Sequence, residues 1–168
     1  MNALNIDTFL VDGFELVCKV VDPSGEGVEW FYDSINEEVM FDDHRSWVYF
    51  IVVDGEIWKV GETGNPLGIR YKRGTSKQPL PGSRSRLGRY RNGDESDWVV
   101  RRRLAECLTQ GSKVEFYAKK CPIAAVEITI AGNVENVGSA IHKDLEMEYL
   151  DFIFEETGSL PRLNKARK

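Results

Sequence analysis

The stretch Ser46-Trp47-Val48-Tyr49-Phe50-Ile51-Val52-Val53-Asp54-Gly55-Glu56-Ile57-Trp58-Lys59-Val60-Gly61 decides the fold. Its first eight residues are almost all aromatic or β-branched, the types that fit a pleated surface and favour strands. Asp54-Gly55 follows, a dipeptide suited to the two-residue turn of a β-hairpin because both positions tolerate positive φ. Glu56 to Val60 then alternate polar and apolar residues, as a second strand with two different faces would.

Upstream, residues 1–45 read as an acidic extension with eleven Asp or Glu against two Lys or Arg. Within it, Phe9-Leu10-Val11, Phe14-Glu15-Leu16-Val17 and Val20-Val21 suggest short strands, separated by Asp12-Gly13 and Asp22-Pro23 turns. Downstream, residues 61–93 are rich in Gly, Pro, Ser and Arg and predict a long irregular loop leading into a short helix over 85–91. Loops of that length in compact domains usually carry function or are disordered. Residues 96–110 have helical spacing through Val99, Val100, Leu104, Cys107 and Leu108, and Gly111 is a natural stop. Strands are expected over 114–118 and 125–130, and a last helix over 139–157 ending at Gly158. On that helix Leu145, Tyr149 and Phe152 are read as the inward face, with Ile153 at its edge. Together these elements predict an α+β layer structure, a small antiparallel or mixed sheet with helices on it. The chain divides by composition into an extension, 1–45, and a main domain, 46–168.

A length of 168 residues with 42% hydrophobic and 29% charged residues suits one domain with a full core. No apolar run approaches the ~20 residues that span a bilayer, and residues 1–10 lack the features of a signal peptide. Neither a membrane partner nor export is therefore expected. Cys18, Cys107 and Cys121 are odd in number, widely spaced and without a CxxC pair, which argues against a disulfide framework or a zinc site. Reduced thiols in a cytoplasmic protein are the expectation. The net charge of −5 conceals an uneven distribution. Residues 68–103 carry eleven Lys or Arg against three acids, while the remainder carries eleven bases and twenty-four acids. A polyanion such as DNA would be drawn to the first segment and repelled by the rest, which orients an encounter as well as promoting it.

Val48-Tyr49 on the first hairpin strand, Lys59-Val60-Gly61 on the second, an arginine on the following helix, a late helical glutamate and the closing Pro161-Arg162-Leu163-Asn164 together resemble the GIY-YIG nuclease superfamily. The resemblance covers roughly residues 46–164. The family's Gly-Ile-Tyr stands here as Trp47-Val48-Tyr49 and its Tyr-Ile-Gly as Lys59-Val60-Gly61, a lysine that resembles some restriction-enzyme and phage-type branches. The resemblance implies a mainly antiparallel three-stranded sheet flanked by helices, and a metal-dependent endonuclease acting on DNA, of the restriction or phage-related kind. A catalytically weak nucleic-acid-binding module and a structure-specific repair nuclease are the alternatives.

Hydrolysis of a phosphodiester needs a deprotonated water, a clamp on the developing phosphate charge and help for the leaving oxygen. The resemblance makes Tyr49 the general base or the group that positions water. Lys59 either lowers the pKa of Tyr49 or of the water, or is itself the base. For the phosphate-binding arginine two placements compete: Arg86, four residues before Tyr90 on one helix face, and Arg70, eleven residues after Lys59. Arg70, Lys72, Arg73, Lys77, Arg84, Arg89 and Arg91 are the expected DNA-contacting residues. Mg²⁺, with Mn²⁺ as the other candidate, takes oxygen ligands, and the family holds it on one helical glutamate. Measured from Leu145, Glu148 lies at about 60° and Glu146 at about 100° on the helical wheel, so Glu148 is the first choice and Glu146 the alternative. Asn164 matches the family's terminal asparagine, expected to hydrogen-bond backbone or site groups and hold the tail against the sheet. His142, near the start of the last helix, is read as a surface residue. Cutting both strands of a palindrome takes two active sites, so a homodimer is expected.

Overall fold

The computed structural model describes residues 4–21, 32–67 and 95–164. A short helix α1 (Asp7–Leu10) precedes strand β1 (Glu15–Val20), strand β2 (Tyr32–Ser34) and a second short helix α2 (Glu37–Met40). The hairpin follows as β3 (Trp47–Val53) and β4 (Glu56–Thr63), then helix α3 (Glu95–Thr109) and strand β5 (Val114–Lys120). A second hairpin, β6 (Ile123–Ile130) and β7 (Asn133–Ala140), leads into the long helix α4 (His142–Thr157). No helix among the described residues is long and apolar enough to cross a membrane.

Five strands form one sheet in the order β2-β1-β5-β3-β4, and each neighbouring pair is antiparallel. The three expected strands, β4, β3 and β5, are one side of it. The other side comes from the acidic N-terminal segment, whose β1 pairs with β5 through a bulge between Leu16 and Cys18. Residues 9–11 are not a strand: Phe9 lies in α1, where one helical turn buries its ring against Phe50. The last helix begins at His142 because Ser139 and Ala140 belong to β7, a strand whose Asn-rich sequence gives little β signal.

All seven residues of β3 are buried, which explains why its sequence is continuously apolar rather than alternating. One face, with Trp47, Tyr49, Ile51 and Val53, joins Phe116 of β5 and Val100, Leu104 and Cys107 of α3. The opposite face, with Val48, Phe50 and Val52, joins Phe9, Phe14 and the Leu150 and Ile153 of α4. The three cysteines are buried free thiols, and burial pushes each of them above the ordinary thiol value.

The β3–β4 turn has Asp54 at φ 50° and Gly55 at φ 85°, the paired positive values of the turn whose twist suits a hairpin. Asp54 also accepts a hydrogen bond from the Lys113 amide at 2.8 Å, tying the turn to the start of β5. Replacing Gly55 with alanine places a side chain in the left-handed region at a cost of about 1–2 kcal/mol. Urea unfolding of Gly55→Ala should show a lower midpoint with an unchanged slope; an unchanged midpoint would contradict the strain argument.

Candidate active site

β4 is an edge strand of the sheet, and two separate segments, one from each end of the described chain, close its outer edge. Leu4 accepts a hydrogen bond from the Ile57 amide at 3.3 Å, and the Leu163 amide donates to Trp58 O at 2.8 Å. Asn164 then meets Val60 twice: its Oδ1 accepts from the Val60 amide at 2.9 Å, and its Nδ2 donates to the Val60 carbonyl at 2.8 Å. The side-chain amide thus acts as one more strand residue, fixing the backbone between Lys59 and Gly61. Arg162 beside it lies over the Trp58 ring, 4.8 Å from the centroid, and pairs with Glu56 at 3.3 Å.

On the α3 side of this strand sits Tyr49. It is 1% exposed, stacked on Phe116 with centroids 4.9 Å apart, and directly opposite Gly61 in the register. Its ring lies across Gly61 so closely that a methyl group there would occupy the hydroxyl end of the ring. Lys59, half-buried and paired with Ile51, stands two residues earlier on the same strand and so on the same face.

On the other side α4 packs against β4 and β3. Its buried residues are His142, Glu146, Leu150 and Ile153. The inward face is therefore rotated from the one expected through Leu145 and Phe152: those two are half-buried and exposed. The rotation puts Glu146, and not Glu148, on the inward face. Glu146 is 7% exposed, whereas Glu148 faces outward. Apolarity alone misdirected the wheel because two of the four inward residues are polar.

His142 is a correction as well, since it is 5% exposed rather than on the surface. Its Nδ1 lies 3.1 Å from Ser46 Oγ and its Nε2 lies 3.2 Å from Glu62 Oε2. Ser46, immediately before β3, is fully buried and also lies 3.5 Å from the Pro122 carbonyl. Burial holds the His142 imidazole below its ordinary value, with the Glu62 carboxylate opposing that shift. Neither Ser46 nor Glu62 stood out in the sequence. The only trace was the four-residue spacing of His142 and Glu146, which puts them on one helix face.

Arg70, Lys72, Arg73, Lys77, Arg84, Arg86, Arg89, Tyr90 and Arg91 lie outside the described residues. Among the described residues, no group of three or more His, Cys, Asp or Glu is arranged to hold a metal ion. Mg²⁺ commonly keeps its waters and binds through one or two carboxylates and substrate phosphates. A single inward carboxylate such as Glu146 fits that kind of donor set, and an all-protein cage is not required.

No protein-family model matches the chain, and neither does any curated protein at the level of sequence. Two solved structures are similar. One is the restriction endonuclease HPY188I in complex with product DNA, 19% identical, with TM-score 0.52, covering 95% of this chain and 85% of that one. The other is a mutant of bacteriophage T4 EndoII, 20% identical, with TM-score 0.57, covering 96% of this chain and 99% of that one. At these identities the likeness is one of fold.

Gly61→Ala forces the Tyr49 ring out of its stack or shifts β4, overpacking that costs roughly 1–3 kcal/mol. At this chain length Tm falls about 2–4 °C per kcal/mol, and an unchanged Tm would mean that the ring moves freely. His142 gives a pH dependence of defined sign. Its folded pKa lies below the unfolded 6.5, so the unfolded chain binds the extra proton first. Its contribution to stability is lost as pH falls through 6.5 toward the folded value. Chemical unfolding at several pH values should show wild type losing stability relative to His142→Gln on acidification; parallel curves would refute it.

Proposed function

We propose that this protein is a metal-dependent endonuclease that hydrolyses phosphodiester bonds in DNA with a GIY-YIG-type site. The observation that carries the reading is the Tyr49 ring laid across Gly61, on a strand whose Lys59-Val60-Gly61 backbone is clamped by Asn164. That arrangement brings together the first, second and last pieces of the family resemblance. The fold shared with a restriction endonuclease bound to product DNA supports the same reading.

In this reading water attacks a backbone phosphate near Tyr49. The phenol positions the water, and Lys59 on the neighbouring strand, on the same face, supplies positive charge that favours deprotonation. Arg86 with Tyr90, or Arg70, binds the nonbridging oxygens, for which a planar guanidinium is better suited than a point charge. The flanking bases of segment 68–103 hold the DNA backbone. Glu146, the inward glutamate, replaces Glu148 as the residue proposed to hold Mg²⁺ or Mn²⁺. When bound, such an ion neutralises phosphate charge and stabilises the leaving oxygen. We place the enzyme among restriction or phage-related nucleases. A homodimer supplies the two sites needed to cut both strands.

The test is incubation of the purified protein with unmethylated phage DNA, with and without Mg²⁺, beside Glu146→Ala. Discrete fragments that require the metal and disappear in the variant are expected. Fragments persisting in Glu146→Ala would move the ligand elsewhere, with Glu148→Ala as the next variant. DNA binding without cutting of duplex, branched or RNA substrates would turn the reading to a binding module. Preferential cutting of branched DNA would favour a structure-specific nuclease.

A further inference from the structure

Among the described residues, β6 and β7 pair only with each other and form a two-stranded sheet apart from the five-stranded one. None of their described side chains is buried: Ile123 is 46% exposed, Val126 45% and Val134 62%. An isolated two-stranded hairpin is at best marginally stable in water, and three or more strands sharing an apolar face are needed for independence. The turn adds to that deficit. Ala131 stands at φ 51° beside Gly132 at φ 84°, and the left-handed region disfavours any side chain.

The edges of the hairpin identify the kind of partner it fits. The main sheet protects both of its own edges. β2 is only three residues long, and β4 is covered by Leu4, Leu163 and Asn164. β6 and β7 each run for eight residues in unbroken register, and residues 123–140 contain no Lys, Arg or Pro. Short length, bulges, lysines and prolines are the devices that keep an edge strand from pairing, and this hairpin has none of them. Its charges are Glu127 and Glu135, which repel the phosphates of DNA. An open, uncharged backbone edge recognises another strand.

Of the two edges β6 is the better fitted. Ile123, Val126, Ile128, Thr129 and Ile130 are β-branched, whereas β7 carries Asn133, Asn136 and Gly138. Pairing β6 with a copy of itself also solves the register. Hydrogen-bonded and non-hydrogen-bonded pairs alternate along antiparallel strands, so a two-fold axis falls only where a residue faces its own copy. Two such axes near the middle of β6 pair almost the whole strand. An axis at Glu127 sets that carboxylate against the partner's Glu127, which is destabilising. An axis at Val126 sets Val126 against the partner's Val126 and Glu127 against the partner's Ala125, so no like charges face.

We propose that β6 pairs with β6 of a second copy of this chain, antiparallel about a two-fold axis at Val126, to make one four-stranded sheet in the order β7-β6-β6-β7. The inference rests on the homodimer of the endonuclease reading and gives it an interface. The contact is isologous and closes on itself, so it yields dimers and not fibres. β7 leads directly into α4, so the shared sheet joins the two helices that carry Glu146. At about 3.3 Å per residue an eight-residue strand is about 26 Å long. One pair of edges of that length lies at the low end of specific interfaces, below about 1,200 Å² in total. The dimer therefore dissociates at micromolar concentrations.

The test is sedimentation velocity of the full chain from nanomolar to high micromolar concentration. Wild type is compared with Val126→Lys, Val126→Glu, an equimolar mixture of those two, and Val134→Lys on the other strand. Position 126 is exposed, so Tm at nanomolar concentration should stay near wild type in each variant. Wild type should pass from monomer to dimer, while Val126→Lys and Val126→Glu each stay monomeric because like charges meet at the axis. Their mixture should dimerise again, and Val134→Lys should behave as wild type. Wild type that is monomeric throughout overturns the proposal; DNA affinity that then falls in both Val126 variants assigns the hairpin to DNA instead. Dimers that persist in either single Val126 variant, a mixture that stays monomeric, or dimers lost equally in Val134→Lys also overturn it. Cleavage of unmethylated phage DNA with Mg²⁺ is measured separately. A wild-type dimer that responds as expected but cuts nothing supports this interface and sinks the endonuclease reading.

Discussion

Strand β3 has water on neither face, and the rest of the structure follows from that constraint. Seven consecutive buried residues need a cover on each side. Helix α3 with Phe116 supplies one, and α4 with Phe9 and Phe14 supplies the other. Each cover removes large apolar side chains from water at roughly 25 cal/mol per Å², the main force holding both helices to the sheet. The middle of the sheet is therefore used up by packing. Polar side chains that must meet a substrate are left to the strand edge, and β4 is the edge that adjoins β3.

An edge strand presents unpaired backbone groups and invites pairing with other chains. Here the two ends of the described chain share the work of closing it. Leu4 covers Ile57, Leu163 covers Trp58, and Asn164 covers both polar groups of Val60. Among the described residues, closure stops at Val60, just before Gly61 and Glu62. The strand is held rigid up to the point where the candidate site begins, and that rigidity is what positions a Tyr49 ring lying against bare backbone. A side chain at position 61 would end the contact, so the glycine is needed for packing and not for its backbone freedom.

What the sequence disclosed tracks how local each signal is. The β3–β4 hairpin was legible because its strand propensity and its Asp54-Gly55 turn are encoded within sixteen residues. Helix α3 and the Gly158 stop of α4, at φ 73°, were legible for the same reason. β1 read as a strand, but its place beside β5 was not written in its own residues, because pairing partners are chosen by the whole sheet. The inward face of α4 was misread for a physical reason. A wheel weighted by apolarity assumes that buried means apolar, and His142 and Glu146 break that assumption together. Glu148 was preferred on the strength of that face, and the structure leaves it exposed while Glu146 is buried. Ser46 was invisible because its partner is ninety-six residues away.

A helix held on a sheet only by Leu and Ile can slide or rotate at modest cost, because such contacts are non-directional. Hydrogen bonds have a narrow range of distance and angle. The row from Ser46 through His142 to Glu62 joins the residue before β3, the first residue of α4 and the far end of β4. It therefore fixes the depth and rotation of α4 at its N-terminal end, where Leu150 and Ile153 have least leverage. Glu146 lies one turn from that anchor, so its carboxylate inherits the precision of the row. The same bonds that orient Glu62 thus also set where Glu146 stands. An apolar replacement of the row could preserve the fold and still lose the geometry of both carboxylates.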